Sequence, residues 1–258
     1  MIDIEKQRGN NYQRFDVQHP NQRKSSAGLN NSEEYERAFN VNTRIGFIRK
    51  VYGILSVQLL LTAFLCILSQ NSKGFETFQR QNVALAWVAI GIEVVTMLAL
   101  VCVPTLGRQV PLNYVLLGLF TVAEAYSVSF FTIFFSGNIV LLAAVMTAAV
   151  VVALTIYAMT TKTDFTVAGG TLFVIGAVLS MLVLVNFFIQ SSIMQLLLSG
   201  AFSVLFGIYL VYDTQLIVGG KYAELEYDDY IWGALMLYTD IIGLFLNILQ
   251  LLGAANRD

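Results

Sequence analysis

The chain has 258 residues, of which 57% are hydrophobic and only 12% are charged. Soluble domains carry about 25% charged residues, so this composition indicates an integral membrane protein. The only histidine, His19, lies in the polar N-terminal segment, which excludes a histidine-ligated metal site and a histidine-based triad. Cys66 and Cys102 lie in apolar runs and are interpreted as small core residues, not as a disulfide.

Residues 1–45 are polar and rich in Asn, Gln, Arg and Ser. Such a composition buries too little apolar surface to order a chain, so a largely disordered tail is expected here. A transmembrane domain is predicted for residues 46–253, followed by a short C-terminus at 254–258.

Seven apolar runs follow the tail, each long enough to cross a bilayer as a helix, which needs about 20 residues. The predicted spans are Phe47–Leu68, Val83–Val103, Leu112–Phe135, Ile139–Met159, Phe165–Ile189, Ile193–Val218 and Tyr230–Leu252. Because several links are short, successive helices are expected to be antiparallel neighbours. The predicted fold class is all-α: a polytopic membrane protein with a seven-transmembrane-helix bundle.

Lysine and arginine are distributed unequally between the two sides of this bundle. One side collects twelve of them: Lys6, Arg8, Arg14, Arg23, Lys24, Arg37, Arg44, Arg49, Lys50, Arg108, Lys162 and Lys221. The opposite side collects three: Lys73, Arg80 and Arg257. Because cytoplasmic loops carry the excess of basic residues, the N-terminus is predicted to be cytosolic and the C-terminus to lie on the outer or lumenal side.

Four residues inside the spans are ionisable: Glu93, Glu124, Asp213 and Asp240. Glu93 and Glu124 lie near the middle of their spans, and the two aspartates are at comparable depth on consecutive antiparallel helices. Each buried charge costs about 2.5–3.5 kcal/mol on insertion scales, so the acids are either protonated and hydrogen-bonded or line a wet cavity. If Asp213 and Asp240 touch, they titrate as a coupled pair.

These acids allow a structural interpretation, in which carboxyl groups join helices, and a functional one. Carboxylate oxygens without nitrogen or sulfur ligands suit a hard cation such as Ca²⁺, with protons competing. Asp213 and Asp240 are therefore candidate Ca²⁺ ligands. Glu93 and Glu124 are candidates for lining an ion pathway. The expected partners are the lipid bilayer, Ca²⁺ and H⁺, with further membrane proteins left open; no nucleic acid and no cofactor is expected beyond Ca²⁺ as a permeant ion.

Four motifs resemble the Bax inhibitor-1 family, also called TMBIM, and the first two resemble its Lifeguard branch. They are GFIRKVYGILSVQLLLTAF at 46–64, PLNYVLLGLFTVAEAYSV at 111–128, VYDTQLIVGG at 211–220 and ALMLYTDIIGLFLNILQLL at 234–252. The similarity covers about residues 35–252 and all seven spans.

The resemblance implies a pH-sensitive, Ca²⁺-permeable leak in cellular membranes, which lowers lumenal Ca²⁺ and suppresses cell death. It also implies that Asp213 and Asp240 are the proton-sensing gate and that Glu93 matches a second-span glutamate of the family. In a bacterial relative, a second-span arginine pairs with the sixth-span aspartate; this chain has no arginine at the matching depth. The ER or Golgi is the expected membrane, with the plasma membrane and mitochondrial inner membrane as alternatives.

Two other classes of function remain open at this stage. An intramembrane aspartyl protease also places a Tyr-Asp pair, here Tyr212-Asp213, in one span and an aspartate in the next. The residues before Asp240 are Leu-Tyr-Thr instead of the Gly-x-Gly of that class, so a protein that is not an enzyme is expected. A structural subunit of a larger membrane assembly would also fit this sequence.

Overall fold

A computed structural model describes the backbone of residues 20–256 and the side chains of residues 41–256. Residues 1–19, which are predicted to be disordered, lie outside the described residues. So does Arg257, which is predicted to lie on the outer or lumenal side of the membrane. Contacts divide the chain into two compact units, residues 1–43 and residues 44–258. The second unit begins two residues before the predicted transmembrane domain at residue 46.

Nine α-helices form the described part of the chain. They are α1 (Pro20–Asn71), α2 (Lys73–Gln81), α3 (Val83–Cys102), α4 (Pro104–Arg108), α5 (Leu112–Thr132), α6 (Gly137–Thr160), α7 (Gly169–Ile189), α8 (Ser192–Val218) and α9 (Tyr230–Ala255). A 3₁₀ turn, Thr166–Ala168, precedes α7. Seven of these elements are long and apolar enough to span a membrane, which confirms the predicted all-α bundle.

The predicted span ends agree with the structure to within three residues, except at the start of the first span. The predicted start of that span, Phe47, lies inside the long helix α1, whose described side chains begin at Val41. The helix itself begins at Pro20, where the sequence predicted a largely disordered tail. A helix that has already formed adds each residue without a new nucleation step, so α1 extends into polar sequence that predicts no helix by itself.

The last span, α9, is the centre of the bundle. It is the most buried of the spans: 56% of its most apolar 18-residue stretch is buried inside the protein. The corresponding stretch of the span that contains α7 is only 6% buried, so α7 lies at the periphery. Leu235, Leu237, Tyr238 and Leu249 of α9 are almost fully buried. Many exposed apolar side chains on the other spans, such as Phe173 and Phe188, face outward where lipid replaces water.

Contacts between the loops agree with the two sides of the bundle that the charge pattern predicts. Arg108, which follows the second span, forms an ion pair with Asp229, just before α9. Lys221, between α8 and α9, donates a hydrogen bond to the carbonyl of Thr161, which follows α6. These links therefore lie on one side, called the inner side below. The outer side is where α8 begins and α9 ends.

Candidate functional site

The two span aspartates are in contact where α8 and α9 pack against each other. Asp213 and Asp240 are each only 6% exposed, and their carboxyl groups lie within hydrogen-bonding reach of one another. A hydrogen bond between two carboxyl groups needs a proton on one of them, since an ionised carboxylate only accepts. Oδ2 of Asp240 is buried and receives no hydrogen bond from the described donors. The structure thus brings together the pair expected from the sequence, in an arrangement that can share a proton.

Two tyrosines of α8 lie near this aspartate pair. The phenols of Tyr209 and Tyr212, both on α8, are titratable groups that interact with it electrostatically. Tyr212 is fixed by close packing, because a Cβ on Gly169 would lie 2.6 Å from its phenol oxygen. Within residues 41–256, neither aspartate forms an ion pair with a Lys or Arg. At this depth the α8–α9 contact is therefore made by two carboxyl groups.

The two glutamates form a second acidic pair between α3 and α5. Glu93 and Glu124 are partly buried and lie within hydrogen-bonding reach of one another. The hydroxyl of Ser127 donates a 2.5 Å hydrogen bond to Oε1 of Glu93. On α1, Gln58 donates a hydrogen bond to Thr121 of α5. The polar stripe on α5, which consists of Thr121, Glu124 and Ser127, therefore faces both α3 and α1.

The structure does not join the four acids into one site. Tyr238 of α9 interacts electrostatically with Glu124 and Glu93, and its hydroxyl lies 2.7 Å from that of Thr62 on α1. Asp240, two residues further along α9, contacts Asp213 on α8. Two residues turn an α-helix by about 200°. The glutamate pair and the aspartate pair therefore lie on opposite faces of α9.

Arg44, one of the basic residues counted above with the N-terminal tail, is a largely buried cation with 12% of its side chain exposed. Its guanidinium donates hydrogen bonds to the carbonyls of Val218 (3.1 Å), Leu225 (2.6 Å) and Leu216 (2.7 Å). These carbonyls lie at or just beyond the C-terminus of α8, where a helix leaves its last carbonyls without partners and attracts cations. Gly219, at φ 76°, ends α8 there. An arginine before the first span and a Gly-Gly at the end of the sixth were the signals that could have suggested this contact.

Aromatic rings and an acid complete the environment of Arg44. The guanidinium lies 5.0 Å from the ring centre of Phe47 and 5.8 Å from that of Tyr227, which are cation–π distances. Glu224 lies 3.8 Å away and is half exposed. Arg44 therefore attaches the start of the first span to the inner end of the helix that carries Asp213.

Two further clusters fix the inner loops. Nε of Arg108 donates to Asp229 at 2.8 Å, and the Asp229 carboxylate raises the pKa of the Arg108 guanidinium. Asp164 accepts hydrogen bonds from the hydroxyl of Thr166 and the amide of Tyr222. The Thr166 hydroxyl is the main reason that the pKa of Asp164 lies below its ordinary value, and the nearby charge of Lys221 adds to the effect. Arg108 and Asp164 therefore carry their charges at neutral pH.

The acids offer few ligands for a resident metal ion. Within the described residues, no group of three or more His, Cys, Asp and Glu side chains comes together. Ca²⁺ takes about six to eight oxygen ligands when it is held tightly. Asp213 and Asp240 supply at most four carboxylate oxygens, fewer than a tightly held Ca²⁺ takes.

Comparisons with known proteins identify the family. A family model described as "Inhibitor of apoptosis-promoting Bax1" matches residues 44–257, a range that begins at Arg44. Human "Protein lifeguard 3" is 37% identical over 214 residues, which cover 81% of this chain and 69% of that protein. "Protein lifeguard 4" of Mus musculus is 36% identical over 220 residues, covering 84% of this chain and 89% of the relative. "Protein LIFEGUARD 4" of Arabidopsis thaliana is 36% identical over 220 residues, covering 82% and 86%.

These matches agree with the seven apolar helices and with the motifs quoted above. The family is one of anti-apoptotic, non-enzymatic membrane proteins. The chain therefore belongs to the Bax inhibitor family, on the side of the lifeguard proteins, as an integral multi-pass membrane protein.

Proposed function

We propose that this protein is a pH-sensitive, Ca²⁺-permeable leak channel, gated by Asp213 and Asp240, that lowers lumenal Ca²⁺ and suppresses cell death. The ER or Golgi is the proposed membrane. The observation that carries the proposal is the contact between two buried carboxyl groups, neither of which forms an ion pair with a Lys or Arg of the described residues. Membership of an anti-apoptotic membrane family supports the physiological part of the proposal.

The gate follows from the chemistry of this pair. With one proton shared, the carboxyl groups join α8 to α9 and the contact between the helices is closed. Loss of that proton removes the hydrogen bond and places two negative charges at contact distance. At about 4 Å and an effective dielectric constant of about 20, their repulsion is about 4 kcal/mol. A difference of that size shifts a two-state bundle about a thousandfold toward an open form.

The glutamate pair is proposed as a second acidic position for the cation. Glu93 and Glu124 lie on the α3–α5 side of α9, and Ser127 already donates to Glu93, so a cation there would be shared by two carboxylates. Because the aspartate pair lies on the opposite face of α9, the two pairs are proposed to act in succession, not as one binding site.

Calcium flux through proteoliposomes between pH 6 and pH 8 tests the gate. Asp213→Asn and Asp240→Asn keep a neutral hydrogen bond, so each should flatten the pH dependence of flux. Asp228→Asn, which changes an exposed carboxylate between α8 and α9, is the matched control and should leave the pH profile unchanged. Parallel profiles in the wild type and both aspartate variants would show that the pair is not the sensor.

The same vesicles test the glutamates and the alternative functions. Glu93→Gln and Glu124→Gln should lower flux while the protein still folds, and unchanged flux in both would assign these acids a structural role. Absence of flux in the wild type would favour a structural subunit. Cleavage of an added transmembrane peptide would instead favour a protease.

A further inference from the structure

A cavity of about 550 Å³, open on one side, lies in the outer half of the bundle between α7, α8 and α9. Phenylalanine rings share its walls with amide and hydroxyl groups, and no lining side chain carries a charge. Its polar lining consists of Asn186, Gln190, Gln195, Ser199, Asn247 and Gln250. A cavity of this size with several polar partners is suited to hold ordered water, whereas apolar cavities stay dry.

This cavity continues outward along the same face of α8 and α9 that carries the aspartate pair. Three contacts between the two helices set their register: Asp213 with Asp240, Phe206 with Gly243, and Ser199 with Gln250. Steps of three and four residues separate successive positions on α9, so all of them share one helix face. At 1.5 Å per residue, Gly243 lies about 4.5 Å and Gln250 about 15 Å further out than Asp240.

The ring of Phe206 separates the cavity from the aspartate pair. A Cβ on Gly243 would lie 2.5 Å from this ring, so the ring lies directly on the glycine backbone. Phe202, one turn further out on α8, stacks on Phe206 with ring centres 6.0 Å apart. The polar stripe that runs along α9 from Asp240 to Asn247 is therefore interrupted by one aromatic ring.

We propose that the cavity is the outer vestibule of the pathway to the aspartate pair, filled by water and hydrated cations, and that Phe206 on Gly243 is its gate. The physiological meaning of this gate rests on the proposed function. Amide and hydroxyl oxygens replace part of the hydration shell of a hard cation. Because the lining has no charge, it binds cations weakly enough for them to leave again, and an apolar constriction beyond it closes by excluding water.

Thiol accessibility in the full-length protein tests both parts of the proposal. Cys66 and Cys102 are first replaced by alanine. The protein is then reconstituted into proteoliposomes, and those in which the protein's N-terminus is protected from added protease are used, because in them the outer side of the protein faces the medium. A membrane-impermeant cationic thiol reagent should modify an Asn247→Cys variant rapidly. It should modify an Asp240→Cys variant about tenfold more slowly, because an apolar constriction excludes water and the reagent.

Removing the ring should open the inner position to the same reagent. Phe206→Ala should raise the modification rate of the Asp240→Cys variant about tenfold, since the constriction is gone. Phe187→Ala is the matched control, because this phenylalanine also lines the cavity but is 71% exposed on α7. It should leave the rate unchanged. Phe206→Leu serves if the alanine variant does not fold, and should give an intermediate rate.

Two results would overturn the proposal. If the Asn247→Cys variant reacts only with a lipid-soluble maleimide, the cavity holds lipid and is not a vestibule. If neither Phe206 variant changes the rate at position 240, the ring is not the gate. None of these rates requires ion conduction, so cysteine variants that label as expected, together with a wild type that passes no Ca²⁺, would refute the proposed function and leave the vestibule intact.

Discussion

Replacing Arg44 by alanine is expected to detach the start of the first span from the inner end of α8. The guanidinium is 12% exposed and donates to the carbonyls of Leu216, Val218 and Leu225. The carbonyl of Leu216 keeps a second partner, the amide of Leu225 at 3.1 Å. The carbonyls of Val218 and Leu225 lose their hydrogen bonds to the arginine, and only water can replace it as a donor.

The size of the effect follows from these three hydrogen bonds. A hydrogen bond to a charged group contributes about 1.5–3 kcal/mol to stability, and the lower end applies where water partly replaces the donor. With one carbonyl retaining its partner, Arg44→Ala should lower the free energy of unfolding by about 3 kcal/mol. Arg44→Lys keeps the favourable charge at the helix C-terminus but loses the forked donor, so it should cost about half as much.

Denaturant unfolding of the purified protein in mixed micelles measures these differences. Arg49→Ala is the matched control, because Arg49 is exposed and forms no ion pair with the described residues. Its cost should stay within about 0.5 kcal/mol, as for other surface substitutions. If Arg44→Ala costs no more than Arg49→Ala, the three hydrogen bonds do not stabilise the inner end of α8 and the reasoning fails.

In the same unfolding assay, Asp164→Asn should lower the free energy of unfolding by the same amount at pH 6 and at pH 8. A carboxylate whose pKa is lowered in the fold stabilises the protein above its unfolded pKa of about 4. That contribution is lost only as the pH falls through the lower pKa of the folded state. A loss that shrank toward pH 6 would contradict the assigned contacts. In sealed vesicles with the cytosolic side outward, protease should remove a tag at the N-terminus and spare one at the C-terminus, as the placement of Lys and Arg predicts. A protected N-terminal tag would mean the opposite orientation.

The spans and the aspartate contact could be expected from the sequence because both depend on short-range information. A run of about 20 apolar residues specifies a span without reference to any other part of the chain. Asp213 and Asp240 lie on consecutive antiparallel spans, so their depths could be compared directly. The start of α1 at Pro20 could not be predicted, because the first part of this helix is polar and carries no apolar signal.

The contacts that the sequence did not predict depend on how helices are rotated about their axes. Glu93 and Glu124 were placed at similar depth, yet each residue turns a helix by about 100°, so depth alone does not tell which acids face each other. Arg44 contacts carbonyls more than 170 positions away in the chain. Its partners are backbone carbonyls, which every residue carries, so the sequence does not show which of them will bind an arginine. The only local signal is Gly219-Gly220, where α8 ends.

The central position of α9 links the two acidic pairs mechanically although they do not touch. Asp240 and Tyr238 project from opposite faces of this one helix, the first onto Asp213 and the second toward Glu124 and Thr62. A helix moves as a nearly rigid element, so a displacement that separates Asp240 from Asp213 also changes the position of the Tyr238 hydroxyl. Packed interfaces favour discrete arrangements over continuous ones. An opening that begins at the aspartates, as proposed above, would therefore reach the glutamates through the movement of α9 itself.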